Sequence, residues 1–162
     1  MSIKAIVFDL DDTLVDTSEL RHLRTNREWK AAVAKVNSTR MFDGLGELLA
    51  HAKKRSVSVA IVTTSVSHYA SAVLRHHGIT YDCLVAYHDA PRKPKPDGVL
   101  EALNRLKVAP ADAIGIGDLD TDCTAYHLAG LQAIGAAWSK ALEASRWDHI
   151  ARHPREITKY FV

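Results

Sequence analysis

The sequence predicts an α/β fold: a doubly wound, mainly parallel five-stranded sheet with helices on both faces and a short helical insert after the first strand. Two observations predict it. Short apolar runs alternate with amphipathic stretches along the whole 162-residue chain, the strand–helix rhythm of a parallel sheet. The runs are also continuously apolar rather than alternating, as in strands buried on both faces.

Ile3 to Phe8 is the first strand, Val57 to Val62 the second and Cys83 to Tyr87 a weaker third. Ala113 to Ile116 is the fourth and Gln132 to Ala136 the fifth. Between them, Leu45, Leu48, Leu49 and Ala52 repeat at helical spacing, as do Ala70, Val73, Leu74 and His77. Leu100, Leu103 and Leu106 form another stripe, and Ala125, Leu128 and Ala129 a shorter one. Pro154 to Phe161 is expected as a closing helix docked on the sheet edge. Residues 15–41 break the alternation: Leu20, Leu23, Trp29, Val33 and Val36 lie at roughly helical spacing, interleaved with Arg21, Arg24, Arg27, Lys30 and Lys35. The segment is too short for a domain of its own. The chain is therefore expected as one domain, 1–162, carrying a helical insert at 15–41.

Composition narrows the function classes. An apolar fraction of 47% rules out disorder. A net charge of +2 and a pI near 8.6 give no field that would recruit nucleic acid. The apolar stretches fall far short of a membrane span, and no signal-peptide pattern opens the chain. Cys83 and Cys123 are too few for a disulfide framework and are read as buried thiols of a reducing compartment. A soluble, cytoplasmic protein is the expectation.

Chemistry concentrates at the carboxyl ends of the strands, where ligands bind in such sheets. Strand one ends in Asp9, Asp11 and Asp12; strand two in Thr63, Thr64 and Ser65; strand four in Asp118, Asp120 and Asp122. Arg92-Lys93-Pro94-Lys95-Pro96 precedes the fourth unit. Two carboxylates ~4 Å apart repel by ~4 kcal/mol at an effective dielectric near 20, so acids at the mouth of a core strand call for a cation. Magnesium takes hard oxygen ligands, commonly one or two carboxylates with waters and phosphate, and Asp9 and Asp118 can supply them. A carboxylate there can attack phosphorus, and Asp11, two residues on, can move the proton of a leaving alkoxide and then of water. Thr63 offers a hydroxyl to a phosphate oxygen. The Thr64 and Ser65 amides are expected to open a helix N-terminus that attracts anions. Lys93 or Lys95 would neutralise phosphoryl charge.

Blander roles compete. Asp in turns and caps is common, and Asp120 in particular reads as surface or cap. Thr63 could be a plain β-branched strand residue. His149 and His153, four apart but with no third ligand, read as surface residues, as do His76, His77 and His88. The Arg21, Arg24, Arg27 run reads as a solvated face that could also steer an anionic substrate.

These residues resemble the motifs of the haloacid dehalogenase (HAD) superfamily, in family order: Phe8 to Leu14 the first, Val62-Thr63-Thr64 the second, Lys93 to Pro96 the third and Gly117 to Asp122 the fourth. The resemblance implies a Rossmann-like core with a one-turn loop and small hairpin after strand one. It implies Asp9 as nucleophile and Asp11 as acid/base, and Thr63 and Lys93 as phosphate-holding groups. Mg²⁺ would be held by the Asp9 carboxylate, the Asp11 carbonyl and Asp118, with Asp122 in support. The expected function is a Mg-dependent phosphatase working through an aspartyl-phosphate. Residues 15–41 would be a truncated cap, leaving the site open to a phosphorylated small molecule or macromolecule, or to closure by a second subunit in a homo-oligomer. A non-catalytic phosphate-binding module is the alternative. A dehalogenase needs no proton donor for a halide, and a phosphomutase needs a cap that excludes water.

Overall fold

The computed structural model describes residues 2–161. The central sheet has six parallel strands, one more than expected. In chain order these are β1 (Ala5–Phe8), β4 (Ser58–Val62), β5 (Cys83–Val85), β6 (Ala113–Gly117), β7 (Gln132–Ala136) and β8 (His149–Ala151). They lie side by side in the order β5-β4-β1-β6-β7-β8. β1 is central, its four residues fully buried, with Phe8 level with Ile61 on one side and Ile116 on the other. β8 pairs Ile134 with His149 and Ala136 with Ala151. Its three residues carry no periodic signal, so only the β7 edge makes them a strand. His149 is thereby a strand residue whose side chain stays exposed, in keeping with its reading as a surface histidine.

The sheet separates two apolar layers, because alternate residues of each strand point to opposite faces. Ile6, Phe8, Ile61, Ile114 and Ile134 point to one side, where they meet α3 (Leu45–Lys54) and α4 (Ser67–His76). Ala5, Val7, Ala60, Val62 and Ala133 point to the other, against α5 (Asp97–Leu106) and α6 (Asp120–Ala129). The chain's end, Pro154–Tyr160, is a 3₁₀ helix, not an α-helix. It lies on α3 rather than chiefly on the sheet edge: Ile157 and Phe161 are buried in that layer, with the Phe161 ring 5.3 Å from His51. His153 starts it, its Nδ1 accepting from the Arg155 amide.

Residues 15–41 are helical only in their middle. β2 (Val15–Asp16) and β3 (Arg40–Met41) pair antiparallel and frame the insert. Between them lie a 3₁₀ turn at Ser18–Leu20, α1 (Arg21–Thr25), α2 (Trp29–Ala34) and a second turn at Val36–Ser38. Val15 and Leu20 sit in the core, and Trp29 packs on Tyr69 of α4 with ring centroids 5.4 Å apart. Thr39 shares a 2.7 Å hydrogen bond with His77 just past α4. The insert is stapled to the core at both ends.

Cys83 and Cys123 are free and buried. Among the described residues no helix is long and apolar enough to cross a membrane. At Gly115, mid-β6, an added Cβ would fall 2.2 Å from the Tyr126 ring. Both residues are fixed in buried elements, so Gly115→Ala should destabilise the fold by about 1–3 kcal/mol, read from the midpoint of urea unfolding. Gly78→Ala, where a Cβ meets open space despite φ +64°, should cost less.

Candidate active site

β1, β4 and β6 are adjacent, so their carboxyl ends bring the three acidic and hydroxylic segments to one edge. Asp9 continues the ladder, its amide donating to Ile116 O at 2.9 Å. Asp9, Asp118 and Asp122 are 6%, 3% and 1% exposed. Each can place one carboxylate oxygen within 4.8 Å of the others.

Three groups hold these charges in place. The Thr13 hydroxyl, wholly buried, lies 3.3 Å from Asp9 Oδ2 and 3.1 Å from Asp118 Oδ1. Lys93 Nζ reaches Asp9 Oδ1 at 3.0 Å, Asp122 Oδ1 at 2.6 Å and the Val62 carbonyl at 2.9 Å. Lys140 Nζ lies 3.3 Å from Asp118 Oδ2. Lys93 is buried and Lys95 exposed: the chain turns here, with the Lys95 amide donating to the Arg92 carbonyl at 3.2 Å, and only Lys93 enters the cluster.

The electrostatics follow from this packing. Burial, then the charges of Asp122 and Asp118, push the Asp9 carboxyl well above the usual carboxylate range against the pull of Lys93. Burial and Asp122 likewise raise Asp118. Burial opposes the Lys93 ammonium, but the carboxylates of Asp122 and Asp9 hold its pKa above the ordinary value. One buried cation, Lys93, and one half-exposed, Lys140, against three buried carboxylates leave a deficit of positive charge. A set of hard oxygen donors with that deficit fits a divalent ion such as magnesium.

Asp122 has a distinct place in the cluster. Its Oδ2 accepts from the amides of Asp118 and Leu119 at 3.2 and 3.1 Å, and its Oδ1 takes Lys93. It thereby clamps the turn that presents Asp118. Gly117 makes room for it: a Cβ there would lie 2.6 Å from Asp122 Cβ. Asp120, at the start of α6, points away and only approaches Arg146 at 3.7 Å, with 65% of its side chain exposed.

Asp11 is set back from the cluster and well held. Thr17 and Tyr69 hydroxyls donate to its Oδ1 at 2.7 and 2.8 Å, and Ser65 to its Oδ2 at 2.8 Å. Arg24 Nε approaches Oδ1 at 3.5 Å. Burial and the Asp11 charge raise the Tyr69 phenol above its usual range, so Tyr69 keeps its proton and stays a donor. Asp12 adopts φ +62°, a left-handed conformation that a short Asp tolerates, and its carboxylate pairs with Arg21 at 2.9 Å.

Thr63 is buried beside Lys93 at the end of β4, and its Oγ1 accepts from the Ser65 amide at 3.0 Å. Thr64 is exposed. The expected anion-binding helix start is displaced: α4 begins at Ser67, and the Ser65 amide already has a partner. The side chain of Thr63 closes this turn itself, which carries the chain two residues further before the helix begins. The arginine run is not a plain solvated face either. Arg21 meets Asp12, Arg24 turns toward Asp11, and Arg27 stacks on Tyr87 at 5.1 Å.

Thr13, Tyr69, Trp138 and Lys140 join the site without having been singled out in the sequence, and Ser65 joins it through its hydroxyl rather than its amide. Thr13 lies inside the first motif segment and could have been found there. Trp138 and Lys140 lie beyond β7, and only the parallel β6–β7 pairing brings them back.

The arrangement has counterparts. A family model described as "Haloacid dehalogenase-like hydrolase" matches residues 21–136, a range that includes Thr63, Lys93, Asp118 and Asp122 but begins after Asp9 and Asp11. Pyrophosphatase PpaX of Oceanobacillus iheyensis is 24% identical over 183 aligned positions, covering 86% of this chain and 86% of that protein. Beta-phosphoglucomutase of Bacillus subtilis is 28% identical over 149, covering 90% of this chain and 64% of the other. The crystal structure of a HAD phosphatase from Thermococcus onnurineus superposes with a TM-score of 0.83 at 18% identity over 97% of each chain.

The raised Asp9 carboxyl has a consequence for stability. Its folded pKa lies above the unfolded value near ~3.9, so the unfolded chain gives up this proton first and stability falls as pH rises between the two. Asp9→Asn removes that penalty. In chelator, the melting temperature of Asp9→Asn should exceed that of wild type at pH 8 by about 3 °C or more, with the gap closing toward pH 4. A gap independent of pH would contradict the assignment.

Proposed function

The chain belongs to the haloacid dehalogenase-like hydrolase family, and on that premise we propose that it is a magnesium-dependent phosphatase that cleaves a phosphate monoester through an aspartyl-phosphate on Asp9. The observation that carries the proposal is the buried cluster of Asp9, Asp118 and Asp122 with Lys93 lodged between two of them. Residues 1–162 act as one catalytic unit with 15–41 as a reduced cap.

Each residue has a role its position supports. Asp9, at the end of the central strand, attacks phosphorus, and the bond to the leaving oxygen breaks as the Asp9–phosphorus bond forms. Asp11, two residues on, has to enter this step protonated, and gives its proton to that oxygen. It then takes a proton from water as the water attacks the aspartyl-phosphate, which returns both residues to their starting forms. The hydroxyls of Thr17, Ser65 and Tyr69 set the direction of the Asp11 carboxyl. Lys93 stands beside Asp9 and Thr63 to offset the phosphoryl charge. Thr64, exposed at the same turn, is left as a peripheral phosphate contact through its backbone. Mg²⁺ would be held by the carboxylates of Asp9 and Asp118 and the Asp11 carbonyl, with Asp122 fixing the Asp118 turn, and would supply positive charge to the carboxylates and the phosphoryl oxygens. The reduced cap supports an open site that admits bulky phosphorylated substrates or is closed by a second copy of the chain.

Release of inorganic phosphate from p-nitrophenyl phosphate with and without Mg²⁺ tests this. Turnover should require Mg²⁺ and fall at least about 10³-fold in Asp9→Asn, and about 10²–10⁴-fold in Asp11→Asn, the usual span of general acid–base catalysis. Wild-type protein with no Mg²⁺-dependent turnover on any of a broad set of monoesters would indicate a phosphate-binding module instead.

A further inference from the structure

Lys140 belongs to none of the sequence motifs. It lies in the loop 137–148 between β7 and β8 and touches the cluster through one atom pair, Nζ to Asp118 Oδ2 at 3.3 Å. Two residues earlier, Trp138 Nε1 donates to the Thr13 carbonyl at 2.8 Å. Thr13 is the residue whose hydroxyl spans Asp9 and Asp118. The loop is thus anchored to the same turn that ties the two carboxylates together.

The two ammonium groups of the site are held very differently. Lys93 has 3% of its side chain exposed and three acceptors between 2.6 and 3.0 Å. Lys140 has 48% exposed and a single, longer contact, while its partner Asp118 is 2% exposed. Lys140 also borders a cavity of roughly 450 Å³ that Asp12, Arg21, Phe42 and Trp138 help to line. It therefore has somewhere to go, and Lys93 does not.

We propose, resting on the reading of Asp9 and Asp118 as cation ligands, that Lys140 is a positioning residue that takes the cation's place on Asp118 in the metal-free protein and withdraws into the adjoining cavity when the metal binds. A univalent and a divalent cation within a few ångström of one carboxylate repel each other; Lys93, locked by three acceptors, stays beside Asp9 all the same, whereas the half-exposed Lys140 is free to leave Asp118. The lysine acts as an internal competitor. It offsets the charge of Asp118 while the site is empty and lowers the affinity for metal by the same interaction.

Calorimetric titration of Mg²⁺ into wild type, Lys140→Gln and Arg21→Gln at one pH and ionic strength tests this without reference to turnover. Arg21→Gln is the control for general field effects: it removes the same charge from the same cavity wall, but Arg21 pairs with Asp12, outside the cluster. Lys140→Gln should bind Mg²⁺ about fivefold more tightly, the scale expected of a half-exposed ion pair, and Arg21→Gln should stay within about twofold of wild type. In chelator, Lys140→Gln should also melt below wild type, and saturating Mg²⁺ should abolish that difference. Equal or weaker Mg²⁺ binding by Lys140→Gln would overturn the proposal, as would an equal gain in Arg21→Gln. Wild-type protein that takes up no Mg²⁺ would instead remove the metal reading on which the proposal rests.

Discussion

Like charges buried together at the end of a central strand constrain everything else in this molecule. Asp9 sits where β1 leaves the sheet, and Asp118 sits where its neighbour β6 does; register alone brings them together. In water their repulsion would be small, but in a site nearly closed to solvent it is several kcal/mol at an effective dielectric of ~20. The surroundings answer that repulsion. Lys93 is threaded between Asp9 and Asp122, Thr13 spans Asp9 and Asp118, and the amides of Asp118 and Leu119 satisfy the remaining oxygen of Asp122. Even so, burial leaves Asp9 raised well above its ordinary pKa. The fold retains a strained charge set that a divalent cation would relax.

The second constraint is the placement of Asp11, the proposed proton carrier. Asp11 follows Asp9 by two residues, but it is oriented from both the insert and the core. Thr17 belongs to the insert, Ser65 and Tyr69 to the β4–α4 unit. Trp29 packs on Tyr69, and Thr39 is tied to His77. The short insert therefore works through its anchorage: it supplies part of the frame that holds Asp11, pairs Arg21 with Asp12 and turns Arg24 toward Asp11.

Much of this was legible in the sequence because the relevant signals are local. Continuous apolar runs identify buried strands, and acids directly after two of them mark the sheet edge. The five expected strands are present within a residue or two of their positions, and Lys93 follows from its place before α5. What escaped is what depends on long-range pairing. β8 has three residues and no periodicity, and it exists because β7 offers an edge. The strands β2 and β3 are two residues each and pair only because the insert's ends converge. The start of α4 moved because the Thr63 side chain caps its own turn, a choice propensity does not encode. Trp138 lies 125 residues from Thr13 and reaches it only through the parallel crossover, which also carries Lys140 back to Asp118.

The proposed function requires that Asp9 and Asp118 together hold a cation. The most direct measurement is a crystal soaked with Mn²⁺, an anomalous scatterer that substitutes for Mg²⁺, together with a phosphate mimic. One strong anomalous peak is expected within about 2–2.4 Å of a carboxylate oxygen from each of Asp9 and Asp118, with the mimic against Asp9 and Lys93. A fully occupied ion elsewhere, with Asp9 and Asp118 contacting only protein, would contradict it.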